Sequence, residues 1–248
     1  MSKTILLRIK RRAAPEKEAY WEEFEVPHRP AMNIISCLME IEKNPVTAKG
    51  KTTTPVVWES SCLEEVCGAC TMVINGRVRQ ACSTLVDNLP QPISVEPMTK
   101  FPNIRDLRVN RQFMFDSLKK VKAWVPVDGT HNLGPGPRMS PADQQVAYEL
   151  SRCMKCGCCL EACPQVNDRS EFMGAAIVSQ VRLFNMHETG KMYAHERLDA
   201  ITGKGGVGDC GNAQMCVEVC PKDIPLTTSI AEVERQATKH MVKKLLGN

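Results

Sequence analysis

A chain of 248 residues with 43% hydrophobic and 24% charged content has the balance of an ordinary globular protein, long enough for one or two domains with a sizeable core. Its formal net charge of +4 is too small to argue for a nucleic-acid partner. Arg8 and Lys10 interrupt the apolar start of MSKTILLRIKRR, so no signal peptide is expected, and no run approaches the roughly 18 apolar residues that span a bilayer. Membrane association is therefore expected to run through a partner. The thirteen cysteines form an odd set in a chain far longer than a small stapled domain. That argues for metal or redox chemistry in a reducing cytoplasm and against a disulfide framework.

Residues 3–10, KTILLRIK, read as a strand. In 18–27, Tyr20, Glu22, Phe24 and Val26 alternate with their neighbours and suggest a second. Ile34, Ile35, Leu38 and Ile41 fall at helical spacing, with Pro45 just beyond the end. Cys37 on this helix is expected to be a small buried apolar residue. Asn75-Gly76 lies between two β-rich runs, a strong hairpin signal because a type I′ turn needs positive φ at both central residues. PISVEPM adds a short strand, so the first 105 or so residues predict an α+β unit.

The character then changes. Residues 106–124 have a helical pattern, and 127–141 form a turn-rich stretch punctuated by Gly and Pro. Ser140 is a plausible N-cap with Pro141 at the first helical position. From there the chain predicts helices around cysteine groups. It closes on an amphipathic helix with lysines near its end, where the helix dipole favours cations. A solvated end is the expected role of those lysines, and contact with a membrane the alternative.

The stretch CLEEVCGAC gives Cys62-x4-Cys67-x2-Cys70, followed by Cys82, which is the plant-type ferredoxin spacing for a 2Fe–2S cluster. Thiolates are soft anionic ligands suited to iron, and four complete two tetrahedral sites. Gly68 stands where a tight loop must bring backbone amides close to sulfur. A four-cysteine zinc site is the competing reading, but zinc sites usually pair two short hooks.

A second group, CMKCGCCLEACP, fits the bacterial run C-x2-C-x2-C-x3-C-P with Cys153, Cys156, Cys159 and Cys163-Pro164. Cys158 falls outside the pattern, as a packing residue or a neighbour of the ligands. CGNAQMCVEVCP is an imperfect copy: Cys210, Cys216 and Cys220 occupy three positions, and Ala213 occupies the second. With fourth ligands exchanged between runs, one site holds Cys153, Cys156, Cys159 and Cys220, suited to 4Fe–4S. The other holds Cys163, Cys210 and Cys216, one thiolate short, which predicts 3Fe–4S or a 4Fe–4S cluster with an open iron. GKGGVG matches G-x-G-x-x-G at Gly203, Gly205 and Gly208, yet lacks a preceding strand and is read as a flexible loop. His28, His131, His187, His195 and His240 are scattered without metal spacing.

This order of ligand sets, with CLEEVCGACTMVING, CMKCGCCLEACP, CGNAQMCVEVCPKDIPLTTSI, PGPRMSP and SQVRLFN, resembles the iron–sulfur subunits of succinate dehydrogenase and fumarate reductase. The resemblance implies a β-grasp 2Fe–2S domain over 1–105 and an all-α domain with 4Fe–4S and 3Fe–4S clusters over 106–248. It implies docking on a flavoprotein subunit that carries FAD and the dicarboxylate chemistry, so that no catalytic residue is expected on this chain. It further implies a membrane-anchor cytochrome b subunit with haem b, and a peripheral place on the cytoplasmic side of a bacterial cell membrane. Electrons from succinate would pass from flavin through the three clusters to a quinone, or in reverse for fumarate, in respiration and the tricarboxylic acid cycle. Ubiquinone-reducing members carry tryptophans after the Cys-Pro and a His after the next cysteine. Here those stretches read Pro164 to Asp168 and Cys210-Gly211-Asn212, so only Pro164, Gly211 and Asn212 mark the quinone-site vicinity. CGCCLEACP with DCGN is most similar to the menaquinone-linked branch with a single dihaem anchor. A free soluble ferredoxin and a hydro-lyase working at an open iron are the alternatives.

Overall fold

The computed structural model describes residues 3–125 and 138–247. His131 and most of the turn-rich stretch 127–141, including the first residues of PGPRMSP, lie outside them. The chain divides into two compact units. One comprises Met1–Arg111 with Met154–Glu161, and the other Gln112–Cys153 with Ala162–Asn248.

The first unit is built on a five-stranded sheet of β1 (Thr4–Arg11), β2 (Tyr20–Pro27), β3 (Thr71–Ile74), β4 (Arg77–Gln80) and β5 (Ile93–Glu96). Its order is β2-β1-β5-β3-β4, with β1 and β5 parallel and the other neighbours antiparallel. Alternation on β1 sends Ile5, Leu7 and Ile9 inward. They meet Ile34, Ile35, Cys37, Leu38 and Ile41 of α1 (Ile34–Lys43) in one core. Each such side chain contributes at most about 1.5–3 kcal/mol relative to exposure. Cys37 belongs to this core, and burial pushes its thiol up to about 12. Asn33 caps α1 by accepting from Ser36 N–H (2.8 Å), and Asn75 and Gly76 both take positive φ in the β3–β4 turn.

The inward face of β1 ends on a charge. Arg11 is buried and donates to Asp106 (2.9 Å) and Glu22 (2.6 Å). Asp106 also accepts from the amides of Arg12 (3.0 Å) and Val57 (2.9 Å). The cluster pins the chain leading into the first cysteine loop. It also explains a departure from the helical pattern of 106–124. Asp106, at φ 44, turns the hairpin of β6 (Asn103–Arg105) and β7 (Arg108–Val109), so helix α2 runs only over Gln112–Lys120. The segment 154–161 carries most of a short helix, α4 (Cys158–Ala162).

The second unit is helical. Besides α2 it contains α3 (Pro141–Ser151), α5 (Ala175–Met186), α6 (Ala194–Thr202), α7 (Met215–Glu218) and α8 (Leu226–Leu245). Ser140 caps α3 as expected, accepting from Asp143 N–H (3.1 Å). Residues 175–181 of α5 are buried, and α5 packs against α3 and α8. Buried Arg197 of α6 donates to the carbonyls of Lys122 (2.9 Å), Trp124 (2.8 Å) and Gly190 (2.7 Å), closing the chain that follows α2. Helix α6, not a strand, precedes GKGGVG. That segment is a packed turn: a Cβ on Gly206 would lie 1.8 Å from the Ile201 carbonyl oxygen, and Gly205 to Val207 are buried. Among the described residues no helix is long and apolar enough to cross a membrane.

Candidate metal centres

In the first unit four cysteines fall into two pairs. Cys62 and Cys67 face each other across one loop: the Cys67 amide donates to Cys62 Sγ (3.3 Å) and the Cys62 amide to Cys67 Sγ (3.5 Å). The amides of Glu64 (3.4 Å) and Val66 (3.3 Å) also donate to Cys62 Sγ, and that of Ala69 to Cys67 Sγ (3.4 Å). The loop achieves this by left-handed backbone at Leu63, Glu65 and Gly68, which turns successive N–H groups inward as in an anion-binding nest. Two side-chain-bearing residues in that region mark stored strain, as is common at functional sites. The amides of Glu64 and Val66 hold the Cys62 thiol down to about 7.

The second pair is Cys70 and Cys82, both buried and hydrogen-bonded to one another beside the β3–β4 hairpin. Burial pushes Cys70 up to about 12. A thiol in that position needs a cation to become a thiolate. Asn33 donates to the Cys82 carbonyl (2.8 Å), so the residue that caps α1 also fixes the fourth cysteine. Two pairs suit two metal ions, each bound by two thiolates, whereas a single zinc would draw all four to one centre. The donor set and the amides aimed at sulfur fit a 2Fe–2S cluster.

Segment 154–161 brings Cys156, Cys158 and Cys159 into the first unit, all buried. Lys155 and Gly157 take left-handed backbone there. Cys158 hydrogen-bonds to Cys156, and this bond more than any other influence brings the Cys156 thiol down to about 7, with the Arg111 charge assisting. Arg111 also donates to the carbonyls of Gly68 (2.8 Å) and Ala69 (2.7 Å). Glu161 accepts from Thr99 N–H (2.9 Å), Thr99 Oγ1 (2.6 Å) and Lys100 N–H (3.0 Å), anchoring the segment's end. Cys153 and Cys220 lie in the second unit, each half-buried.

Within the second unit a pocket is lined by Cys163, Cys210 and Cys216, with Ala213 on its wall. Cys216 is raised by burial and by the proximity of Cys163 and Cys210. Three thiols therefore converge where the ligand spacing runs one short. Asn212 and Gln214 repeat the left-handed backbone of the first loop. Pro164, Gly211 and Asn212 line the same pocket, and the Gln165 carboxamide lies over Gly211, 2.5 Å from where a Cβ would stand. Gln80, Arg111 and Glu161 escape sequence reading because each acts on a partner far away in the chain.

A sheet with a cysteine nest, joined in one chain to a helical part built around further cysteine runs, defines an electron-transfer protein of the ferredoxin class. A family model described as a 2Fe-2S iron-sulfur cluster binding domain matches residues 6–116, and one described as a 4Fe-4S dicluster domain matches residues 149–224. The chain is 58% identical to the succinate dehydrogenase iron-sulfur subunit of Bacillus subtilis, over 99% of this chain and 97% of that protein. It is 30% identical to the fumarate reductase iron-sulfur subunit of Wolinella succinogenes, over 88% and 89%. Its fold is similar to that of a chain in the Mycobacterium smegmatis Sdh1 complex in the apo form, with a TM-score of 0.75 at 23% identity, covering 96% of this chain and 97% of that one. The chain belongs to the iron–sulfur subunits of succinate dehydrogenase and fumarate reductase. It is an electron-transfer subunit of a multi-subunit oxidoreductase.

Proposed function

We propose that this subunit passes electrons from the FAD of a flavoprotein partner, reduced by succinate, to a quinone at a membrane-anchor partner, and that the quinone is menaquinone and the anchor a haem-bearing cytochrome b. On this reading Cys62, Cys67, Cys70 and Cys82 hold 2Fe–2S. Cys153, Cys156, Cys159 and Cys220 hold 4Fe–4S, and Cys163, Cys210 and Cys216 hold 3Fe–4S. When bound, such clusters supply one-electron redox centres in series. The chain's own part is to keep thiolates deprotonated, to aim amides at them and to exclude water.

On this reading the 2Fe–2S part spans about residues 1–105 and the helical part about 106–248, although the first compact unit runs on to Arg111. Segment 154–161 is the part of the helical half that packs within the first compact unit. The observation that carries the reading is the convergence of Cys163, Cys210 and Cys216 on a pocket whose wall is Ala213. Exposed Met215 and Val217 next to Cys216 offer apolar surface at this end, which suits a membrane partner, and on this reading the subunit lies peripherally on the cytoplasmic face. Pro164, Gly211 and Asn212 are the residues we place nearest the quinone.

The test is metal content and spectrum of the anaerobically purified complex. About nine non-haem irons per chain are expected, with no stoichiometric zinc. Oxidation should give the sharp, near-isotropic electron paramagnetic resonance signal of a 3Fe–4S centre. An iron count near four, or full iron without that signal, would overturn the three-cluster reading, the second outcome in favour of an open-iron 4Fe–4S cluster.

A further inference from the structure

We propose that Gln80 and Cys158 are positioning residues that tie the 2Fe–2S loop to the Cys156–Cys159 loop and raise the reduction potential of the cluster held by the latter. The inference rests on the ligand assignment above. Gln80 ends β4 with its side chain 1% exposed. Its Oε1 lies 3.7 Å from Cys70 Sγ, while its Nε2 donates to Thr71 Oγ1 (2.8 Å) and to Cys158 Sγ (3.4 Å). Thr71 Oγ1 in turn donates to the Gly68 carbonyl (2.8 Å). Cys158 is 1% exposed, stands outside the ligand spacing and hydrogen-bonds to Cys156. Once Cys70 is a thiolate it has no proton to give Oε1, so the tie to the first loop runs through Thr71 and the Gly68 carbonyl. The same carboxamide reaches a non-ligand thiol of the second loop, and that thiol touches a ligand.

Packing alone does not call for this residue. A buried carboxamide is costly unless its polar atoms are met, and a leucine would fill similar space without that demand. What the amide adds is directional. A donor to a ligating sulfur disperses its charge and favours the reduced state, which raises the potential. The N–H of Gln80 on the Cys158 sulfur polarises that thiol and strengthens its donation to Cys156. Cys158 thus acts directly on a ligand, and Gln80 acts through Cys158.

The experiment is a redox titration of the 4Fe–4S centre in the intact complex, followed by electron paramagnetic resonance. It uses Cys158→Ala, Cys158→Ser, Gln80→Leu and the Cys158→Ala/Gln80→Leu double variant. Cys158→Ala should lower the potential with iron content unchanged. Cys158→Ser, which keeps a donor, should restore most of the shift. Gln80→Leu should lower the potential by less, and should add nothing once Cys158 is alanine. An unchanged potential in Cys158→Ala, or strictly additive effects of the two substitutions, would overturn the proposal. Should Gln80→Leu fail to retain iron, the contrast between Cys158→Ala and Cys158→Ser decides by itself: equal potentials in the two overturn it. Absence of a 4Fe–4S signal in the wild-type complex would refute the ligand assignment instead.

Discussion

A Cβ built on Gly68 would lie 2.6 Å from the Cβ of Cys156 and 2.7 Å from its Cα. The loop of the first ferredoxin motif and that of the second are thus in backbone contact within one unit. Gly68 also has φ +72, so two independent demands, a left-handed backbone and a missing side chain, fall on one residue. Because the clashing atoms are backbone and Cβ, no flexible side chain can swing aside.

Gly68→Ala should therefore cost about 2–5 kcal/mol, combining left-handed strain with overpacking. The expected result is a lower thermal midpoint of the purified complex and substoichiometric 2Fe–2S content. An unchanged midpoint and a full 2Fe–2S signal would show that the loop approaches Cys156 less closely than the structure has it.

The same segment is held at its other end by Glu161. Its carboxylate accepts three hydrogen bonds, two of them from backbone amides of Thr99 and Lys100. Glu161→Gln keeps size but leaves only one acceptor oxygen and removes the charge. Losing a charge-assisted bond and stranding a buried amide should cost about 1–3 kcal/mol. Urea unfolding of the complex, read at the 4Fe–4S absorbance, should show the cluster lost at lower denaturant. If the midpoint did not move, the clamp would contribute nothing to holding the second motif.

Cys67 tests the serial order. It sits in the loop where five amide-to-sulfur hydrogen bonds are made between Cys62 and Ala69. Cys67→Ala removes one ligand of four, and should abolish the 2Fe–2S signal and succinate-driven quinone reduction. Dicarboxylate binding to the flavin partner should persist, since that chemistry lies elsewhere. Quinone reduction at the wild-type rate in this variant would refute a relay that runs through the first cluster.

The parts of this structure that were legible in the sequence are those set by near neighbours. The Asn75-Gly76 turn, the Ser140 cap and the helix over Ile34–Lys43 each depend on a few adjacent residues, and each stands where the pattern puts it. Within each run the cysteine spacings are equally local, and Cys62 does meet Cys67. The repeat of the run also carries one distant grouping, since Cys163 shares a pocket with Cys210 and Cys216. What no motif could carry is distant pairing of residues outside the cysteine runs. Gln80 reaches Cys158 across 78 positions, and Glu161 reaches Thr99 across 62. The helical periodicity of 106–124 misleads at its start because Arg11, far upstream, claims Asp106 and stabilises a hairpin there. GKGGVG matches a phosphate-binding motif by letters alone, whereas its buried glycines answer to close packing against Ile201 and Glu171.

Ala213 is the one place where the second cysteine run lacks a thiolate, and it lies on the wall of the pocket formed by Cys163, Cys210 and Cys216. Ala213→Cys should supply a fourth ligand and allow a 4Fe–4S cluster to assemble there. Adding a thiolate and an iron changes both cluster type and net charge, which are main determinants of potentials spanning roughly −700 to +450 mV. A fall in potential is expected, because the added thiolate places negative charge next to a centre that gains an electron on reduction. Delivery to quinone should then slow, since the last station would lie uphill of the one before it. The backbone favours the experiment: residues 211–215 are exposed, so the new side chain meets little resistance. The readout is the near-isotropic 3Fe–4S signal of the oxidised complex, which should decline in proportion to conversion while iron content rises towards about ten per chain. Retention of the full signal at unchanged iron would show that position 213 does not face the cluster, and that the missing ligand is not what sets its type.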